Sequence, residues 1–280
     1  MSGMSLDTEK AEALQKVFAQ AIAIMARLRA PDGCPWDREQ TFVTIQRHTV
    51  EETYEVLDAI DRENWPDLKG ELGDLLLQVL FYAQMAQESG YFTLCDVLEN
   101  LNAKLIRRHP HVFGGLEGVE HAETVLNNWE AIKKTEKASR REDLENVSLL
   151  HEIPRVFPAL MEADKLGKAA ASVGFDWTNA EDVLCKLDEE VAELRSAIAS
   201  QNSADQEEEL GDLLFTIVNL SRKLKIKAEF SLRAANAKFR RRFHAMEELA
   251  ADGIPLDQRS PDELERLWNE AKNNETIAKL

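Results

Sequence analysis

The hexapeptide Glu-Leu-Gly-Asp-Leu-Leu stands at residues 71–76 and occurs again, unchanged, at residues 209–214. The two copies lie 138 positions apart, and the pattern Glu-Glu-x-x-Glu of residues 51–55 recurs at residues 189–193 with the same offset. Self-similarity at a fixed offset is typical of a duplicated structural unit. The sequence therefore predicts two copies of one module in this chain.

Two further features repeat in the same order. Asn-Ala-Lys followed by an arginine pair begins at residues 102 and 236, and Trp129 with a lysine four residues later matches Trp268. The charged stretch between the copies is poor in apolar residues, which is typical of a linker or of a solvated helix face. We therefore expect an N-terminal module, a charged linker and a C-terminal module at residues 1–135, 136–154 and 155–280.

The periodicity of the apolar residues indicates the fold class. They recur at three- and four-residue spacing over long stretches, and the alternation expected of strands is almost absent. This pattern predicts an all-α protein built from two tandem helical-bundle modules. The helices are expected at about residues 9–29, 41–62, 67–89, 94–108, 155–171, 180–200, 204–225, 229–250 and 261–273.

Composition narrows the cellular setting. The 280 residues are 44% hydrophobic, enough to bury a core without disulfides. The three cysteines, Cys34, Cys95 and Cys185, are far apart and favour a reducing cytoplasm. The chain shows no secretory signal and no apolar run long enough for a membrane span, so we expect no membrane partner. A formal net charge of −17 opposes docking on nucleic acid.

The repeated carboxylates carry the chemical prediction. Residues three apart share one helix face, so Glu190 projects with Glu193, and Glu209 projects with Asp212 on the next helix. The short break at residues 201–203 makes these two helices antiparallel neighbours. Four facing carboxylates repel one another unless cations lie between them, and oxygen ligands suit Mg²⁺ or Mn²⁺. The pattern thus predicts a metal site for phosphate chemistry.

The first module keeps the same acidic residues, and a second metal site is therefore open at Glu52, Glu55, Glu71 and Asp74. The alternative interpretation of such acids is decoration of a solvated helix. Repetition and the pairing of the two motifs weigh against that alternative. Gly73 and Gly211 interrupt the helical pattern, where glycine costs about 1 kcal/mol relative to alanine. Either a close helix approach or relief of crowding in the core would explain them.

Basic and aromatic residues follow the carboxylates in the second module. Lysine and arginine there can neutralise phosphate oxygens, although such residues are often solvated surface. The residues in question are Lys238, Arg241 and Arg242. Trp268 can stack on a base or can anchor a core.

The chain resembles a known family through these motifs. Glu-Glu-x-x-Glu followed by Glu-x-x-Asp is similar to the metal-binding signature of the all-α NTP pyrophosphatase superfamily. Residues 33–40, 107–113 and 173–177 resemble the two-domain MazG family, and the match runs from about residue 20 to residue 273. The resemblance implies an enzyme that hydrolyses nucleoside triphosphates between the α- and β-phosphates with broad base tolerance. It further implies a homodimer and a role in cleansing the nucleotide pool.

The resemblance also implies roles for individual residues. Mg²⁺ would be held by Glu190, Glu193, Glu209 and Asp212. The nucleotide would be contacted by Lys186, Glu189, Lys238, Arg242 and Trp268, and Arg241 beside Arg242 is a further candidate for this contact. A metal-polarised water would attack the α-phosphorus, with Glu189 or Glu208 as its base. A different class of function stays open, namely a catalytically silent helical scaffold that binds nucleotides or a protein partner.

Overall fold

The computed structural model describes residues 8–115, 121, 124–125, 128–129, 131–132, 135–136, 148–151, 153–250 and 254–277. Every regular element within these residues is helical, which confirms the predicted all-α class. The chain divides into two units, residues 1–143 and 144–280. Most of the predicted linker, residues 137–147 and 152, lies outside the described residues, and its boundaries stay a prediction.

Six helices of the first unit are described from end to end. They are α1 (Thr8–Arg29), α2 (Pro35–Glu39), α3 (Phe42–Asp61), α4 (Trp65–Glu88), α5 (Leu94–Arg108) and α6 (Pro110–Phe113). Helix α4 is the centre of this unit because α1, α3 and α5 all pack against it. The core of the unit is formed by Met25, Ile45, Leu80, Phe81 and Met85.

The second unit repeats this design. Its helices are α7 (Ala159–Ala171), α8 (Ala180–Ser200), α9 (Ser203–Lys223), α10 (Ala228–Leu249) and α11 (Pro261–Ile277), with a 3₁₀ turn at Leu256–Gln258. Helix α9 packs against α7, α8 and α10, and α11 packs against α10. An apolar cluster of Met246, Leu267 and Ala271 joins the last two helices.

The helical hairpins that carry the repeated acids are closed by the same turn. Glu63 and Gln201, which occupy equivalent positions, both have left-handed backbone conformations, with φ of 54° and 55°. The next residues, Asn64 and Asn202, cap the following helices with their side chains. A non-glycine residue with positive φ costs on the order of 1 kcal/mol, so the surrounding packing must hold this turn in place. Each turn therefore places the following helix antiparallel to the preceding one and packed against it.

The observed helices confirm the predicted ones to within a few residues. The largest deviations are four residues: α7 begins at Ala159 and not at residue 155, and α11 ends at Ile277 and not at residue 273. Pro158 explains the shift of α7, because proline disfavours helical backbone in the residue before it. Helix α5 ends at Arg108, as its nearby proline predicts, and Pro110 opens the separate short helix α6.

Gly73 and Gly211 correct a sequence-based expectation. Both glycines are exposed, and a Cβ atom built at either position would meet none of the surrounding atoms of the described residues within 4 Å. Neither close helix approach nor core crowding within the chain explains them. The helices around them are nevertheless regular.

Among the described residues, no helix combines the length and the apolar character required to cross a membrane.

Candidate functional site

Each module gathers three of its repeated carboxylates into one group. In the C-terminal module, oxygens of Glu190, Glu193 and Glu209 lie within 4.8 Å of one another. In the N-terminal module, the equivalent oxygens of residues 52, 55 and 71 meet the same limit. The groups form because two acids share a face of one helix and the third projects from its packed neighbour. Oxygens at this spacing can share one divalent cation.

The C-terminal group combines burial with unbalanced charge. Glu190 is only 4% exposed, and its Oε1 atom forms an ion pair with Nζ of Lys186 at 2.9 Å. The same Nζ lies 2.7 Å from Glu189, and these two contacts raise the pKa of Lys186. Burial raises the pKa of Glu209, and the charges of its neighbours, beginning with Glu193, raise it further. One lysine therefore does not neutralise this group.

The N-terminal group has the same carboxylates but a different basic partner. His48 occupies the position equivalent to Lys186, and its Nδ1 atom lies 3.1 Å from Glu51. Arg47 also pairs with Glu51, at 2.7 Å. Burial raises the pKa of Glu52, and the negative charge of Glu55 raises it further. The pKa of Glu71 is raised for the same reasons.

The fourth predicted ligand of each set lies outside the three-carboxylate group. Asp74 and Asp212 are exposed and are not among the oxygens that satisfy the mutual 4.8 Å limit. Both are nevertheless close enough to act electrostatically, because Asp74 raises the pKa of Glu52 and Asp212 raises that of Glu209. The structure thus brings three predicted ligands together and leaves the fourth at the edge.

The two predicted bases lie beside the C-terminal group. Glu189 shares Lys186 with the buried Glu190, and its side chain is 58% exposed. Glu208 is also exposed, and its charge contributes to the raised pKa of Glu209. Both carboxylates are accessible to water at the border of the metal-compatible group.

The predicted nucleotide-binding residues lie in three places: Lys186 is at the acidic group, three basic residues are on α10, and Trp268 is on α11. Lys186 contacts the carboxylates, whereas Lys238 is exposed on α10, a helix that packs against α9. Trp268 packs against Phe239 with ring centroids 5.2 Å apart and borders the apolar cluster between α10 and α11. This environment matches the core-anchor interpretation of the tryptophan.

The two remaining arginines have a partner that the sequence analysis missed. Arg242 donates from Nε to Glu275 at 2.6 Å, and Arg241 donates from Nη2 to the same carboxylate at 3.2 Å. In the N-terminal module, Glu136 likewise pairs with both Arg107 and Arg108. The signal was present in the sequence: Trp-x-x-x-Lys-x-x-Glu occurs at residues 129–136 and again at residues 268–275.

Comparison with known proteins adds an independent result. The family described as MazG nucleotide pyrophosphohydrolase domain matches the chain twice, at residues 40–113 and 179–246. The chain is 50% identical over 260 residues to the nucleoside triphosphate pyrophosphohydrolase of Escherichia coli K12, covering 91% of this chain and 96% of that protein. It is 44% identical to the nucleoside triphosphate pyrophosphohydrolase/pyrophosphatase MazG of Thermotoga maritima, covering 92% and 97%. A relative from Mycolicibacterium smegmatis with the same name as the first is 32% identical.

Proposed function

This chain belongs to the MazG nucleotide pyrophosphohydrolase family, and we propose that it hydrolyses nucleoside triphosphates between the α- and β-phosphates. The products are a nucleoside monophosphate and pyrophosphate, and the base is tolerated broadly, which suits a role in cleansing the nucleotide pool. The relatives named as nucleoside triphosphate pyrophosphohydrolases align with nearly the whole chain. The observation that carries the proposal is the group formed by Glu190, Glu193 and Glu209.

The residues of this group fit a hard divalent cation, Mg²⁺ or Mn²⁺. All donors are carboxylate oxygens. Burial raises the pKa of Glu209, and neighbouring negative charge that Lys186 alone does not balance raises it further. Glu190, Glu193 and Glu209 would hold the cation, with Asp212 as the fourth ligand. When bound, the metal supplies Lewis acidity and neutralises charge on the leaving pyrophosphate.

The chain's own residues supply the proton transfer. Glu189 or Glu208 accepts a proton from the attacking water as its oxygen forms a bond to the α-phosphorus. The bond from the α-phosphorus to the bridging oxygen breaks, and its electron pair leaves with pyrophosphate. The contact of Glu189 with Lys186 supports Glu189 for this role, because the lysine holds it beside Glu190.

Binding and orientation of the nucleotide fall to the cationic side chains. Lys186 lies at the carboxylates, where it can also reach a phosphate oxygen. Lys238, Arg241 and Arg242 lie along α10 and would neutralise the triphosphate. Trp268 would border the base with the exposed part of its ring, while its inner face stays in the apolar cluster.

The N-terminal module is proposed to hold a second metal site. Glu52, Glu55 and Glu71 have the same mutual spacing as the C-terminal group, and Asp74 adds to their negative charge. Two basic residues of this module, Arg47 and His48, contact the neighbouring Glu51. A cation bound here would relieve the same repulsion as in the second module.

We further infer that the protein is a homodimer. Leu210, Leu214 and Ile217 are exposed at spacings that align them on one face of α9, beside the open Gly211. Helix α4 shows the equivalent face with Leu72, Leu76 and Val79. Contiguous exposed apolar faces favour burial against a partner. Light scattering should then give twice the 31.7 kDa chain mass, and a monomeric mass would refute the dimer.

The cellular setting is proposed to be the cytoplasm, without nucleic acid as a partner. All three cysteines are free thiols, which suits a reducing compartment. The net charge of −17 opposes phosphate-backbone binding.

The proposed reaction is tested with a panel of nucleoside triphosphates, Mg²⁺ and ¹⁸O-labelled water. We expect monophosphate and pyrophosphate in equal amounts, with the label in the monophosphate because water attacks the α-phosphorus. The Glu209→Gln variant should lose at least about 100-fold in rate, since a metal ligand is removed. Glu71→Gln is the matched variant in the first module.

Each outcome of this experiment has a distinct meaning. Loss only in Glu209→Gln locates the reaction in the C-terminal module, and loss only in Glu71→Gln locates it in the N-terminal one. Label in pyrophosphate would refute attack at the α-phosphorus. The absence of any metal-dependent product would favour the scaffold function over the enzyme.

A further inference from the structure

Each module contains an adjacent pair of arginines that share one glutamate from a later helical segment. In the C-terminal module the glutamate is Glu275, bonded to Arg242 at 2.6 Å and to Arg241 at 3.2 Å. In the N-terminal module, hydrogen bonds from Arg108 and then Arg107 lower the pKa of Glu136 to about 2. The same cluster has thus been kept twice, at equivalent positions of the duplicated sequence.

The geometry differs in which nitrogens of the second arginine are used. Arg108 donates to Glu136 from both Nε and Nη2, so the carboxylate occupies one full edge of the guanidinium. Arg242 donates to Glu275 from Nε. In the part of the chain that the structure describes, neither Nη1 nor Nη2 of Arg242 donates a hydrogen bond. The outer edge of this guanidinium is therefore available to a second acceptor, and phosphate oxygens match that edge in geometry.

Stability alone does not account for the Glu275 cluster. Helices α10 and α11 are already joined by the apolar cluster around Met246 and Leu267. The Glu275 and Arg242 side chains are 17% and 22% exposed, and that of Arg241 is 59% exposed. The pair with the exposed Arg241 adds little to folding, because water screens it. A carboxylate that accepts a hydrogen bond from Nε does, however, restrict the rotamers of a flexible arginine.

We propose that Glu275 is a positioning residue for triphosphate binding, holding Arg242 by Nε so that its outer nitrogens face the phosphate oxygens. Arg241 is held alongside through the other carboxylate oxygen. Glu275 itself does not touch the substrate. This inference rests on the proposed function, and it assigns the pyrophosphate part of the nucleotide to this arginine pair.

The test compares three variants in the full-length protein. Glu275→Gln removes the charge, Glu275→Asp keeps the charge on a shorter side chain, and Glu270→Gln is the control. Glu270 lies on the same helix, where it pairs with Arg266 at 3.8 Å. Steady-state kinetics with a nucleoside triphosphate and Mg²⁺ give KM and kcat. Calorimetric titration with inorganic pyrophosphate and Mg²⁺ gives affinity without hydrolysis, and melting temperatures report folding.

We expect Glu275→Gln to raise KM and weaken pyrophosphate binding about 10-fold, while kcat changes less than about 3-fold. In this variant Arg242 is no longer held in place before binding, so binding must also order its side chain. Glu275→Asp should recover part of the affinity, and Glu270→Gln should match the wild-type protein. Unchanged pyrophosphate affinity in Glu275→Gln would overturn the inference. So would a loss of affinity that follows a fall in melting temperature, since that result would show a structural role.

The two levels of proposal can fail separately. If the wild-type protein releases no pyrophosphate from any nucleotide but Glu275→Gln still weakens pyrophosphate binding, the proposed reaction fails and the positioning role stands. If hydrolysis occurs and Glu275→Gln leaves both KM and pyrophosphate affinity unchanged, the reaction stands and the positioning role fails.

Discussion

The acidic groups of the two modules differ in how their negative charge is balanced. In the C-terminal module, Lys186 lies between Glu189 and the buried Glu190, and it pairs with both carboxylates. In the N-terminal module, His48 takes the position of the lysine and contacts Glu51, the residue next to the metal-compatible Glu52. The two copies of the helical hairpin therefore have the same acidic residues but differ in the basic residue that pairs with them. A lysine pairs directly with a carboxylate of the C-terminal acidic group, whereas Arg47 and His48 of the N-terminal module contact Glu51.

The packing beneath the two groups has also diverged. In the N-terminal module, Arg29 lies over the ring of Phe81 at 5.8 Å and pairs with Glu88 at 2.7 Å. The equivalent residues in the C-terminal module are Gly167 and Asn219. There the arginine comes from another helix, because Arg222 donates to Asn219 and pairs with Asp176. A buried cation is retained in each module although the helix that supplies it has changed.

The largest expected effect tests the role of the bridging lysine. Replacing Lys186 with methionine keeps an unbranched apolar stem of nearly the same length but removes the ammonium group, which leaves the buried Glu190 without its ion pair. We expect kcat/KM for a nucleoside triphosphate to fall about 100-fold, as when one partner of a buried charge pair is truncated. The matched change His48→Met should have little effect on this reaction, since His48 pairs with Glu51. Equal losses in the two variants would remove the distinction between the modules.

A smaller effect, on stability, tests the diverged packing. A Cβ atom on Gly167 would lie 2.5 Å from Oδ1 of Asn219, a side chain that is 1% exposed and bonded to Phe215. Gly167→Ala should therefore cost about 2 kcal/mol in the free energy of unfolding, measured with urea. An unchanged free energy of unfolding in Gly167→Ala would contradict this prediction and show that Asn219 can move.

Gly211→Ala is the matched control because, among the described residues, an added Cβ atom at that position meets no neighbour within 4 Å. In an isolated subunit it should stabilise α9 by up to about 1 kcal/mol through helix propensity. Weakened dimerisation in this variant would instead show that a second subunit covers the glycine.

The smallest effect concerns pH. The folded-state pKa values of Glu52, Glu71 and Glu209 are raised above the ordinary value of 4.5. In the metal-free protein, these groups contribute stability below about pH 4.5 that is lost as the pH rises through the raised values. Mg²⁺ competes with the same protons, so the increase in melting temperature that it causes should shrink at least about twofold between about pH 8 and pH 5. A Mg²⁺ effect independent of pH would contradict this competition.

Much of the fold followed from the sequence because its signals are local. Helical periodicity, the short break at residues 201–203 and Pro110 after α5 each act over a few residues, and the observed helices follow them closely. The duplication was visible as a constant offset between identical motifs. The acid groups also followed, since three-residue spacing determines which side chains share a helix face.

The choice of partner for each charged side chain was decided by the tertiary structure alone. The sequence indicated Asp212 as a ligand equal to Glu209, but packing of α8 on α9 brings only the glutamate into the three-carboxylate group. Arg242 was assigned to phosphate, and the contact with Glu275 depends on how α11 lies against α10. The sequence by itself determined the all-α modules, their duplication and their acidic helix faces, because these depend on the spacing of neighbouring residues. Only the tertiary structure determined which charges meet, because a difference of a few ångströms between packed helices separates a bonded pair from a solvated one.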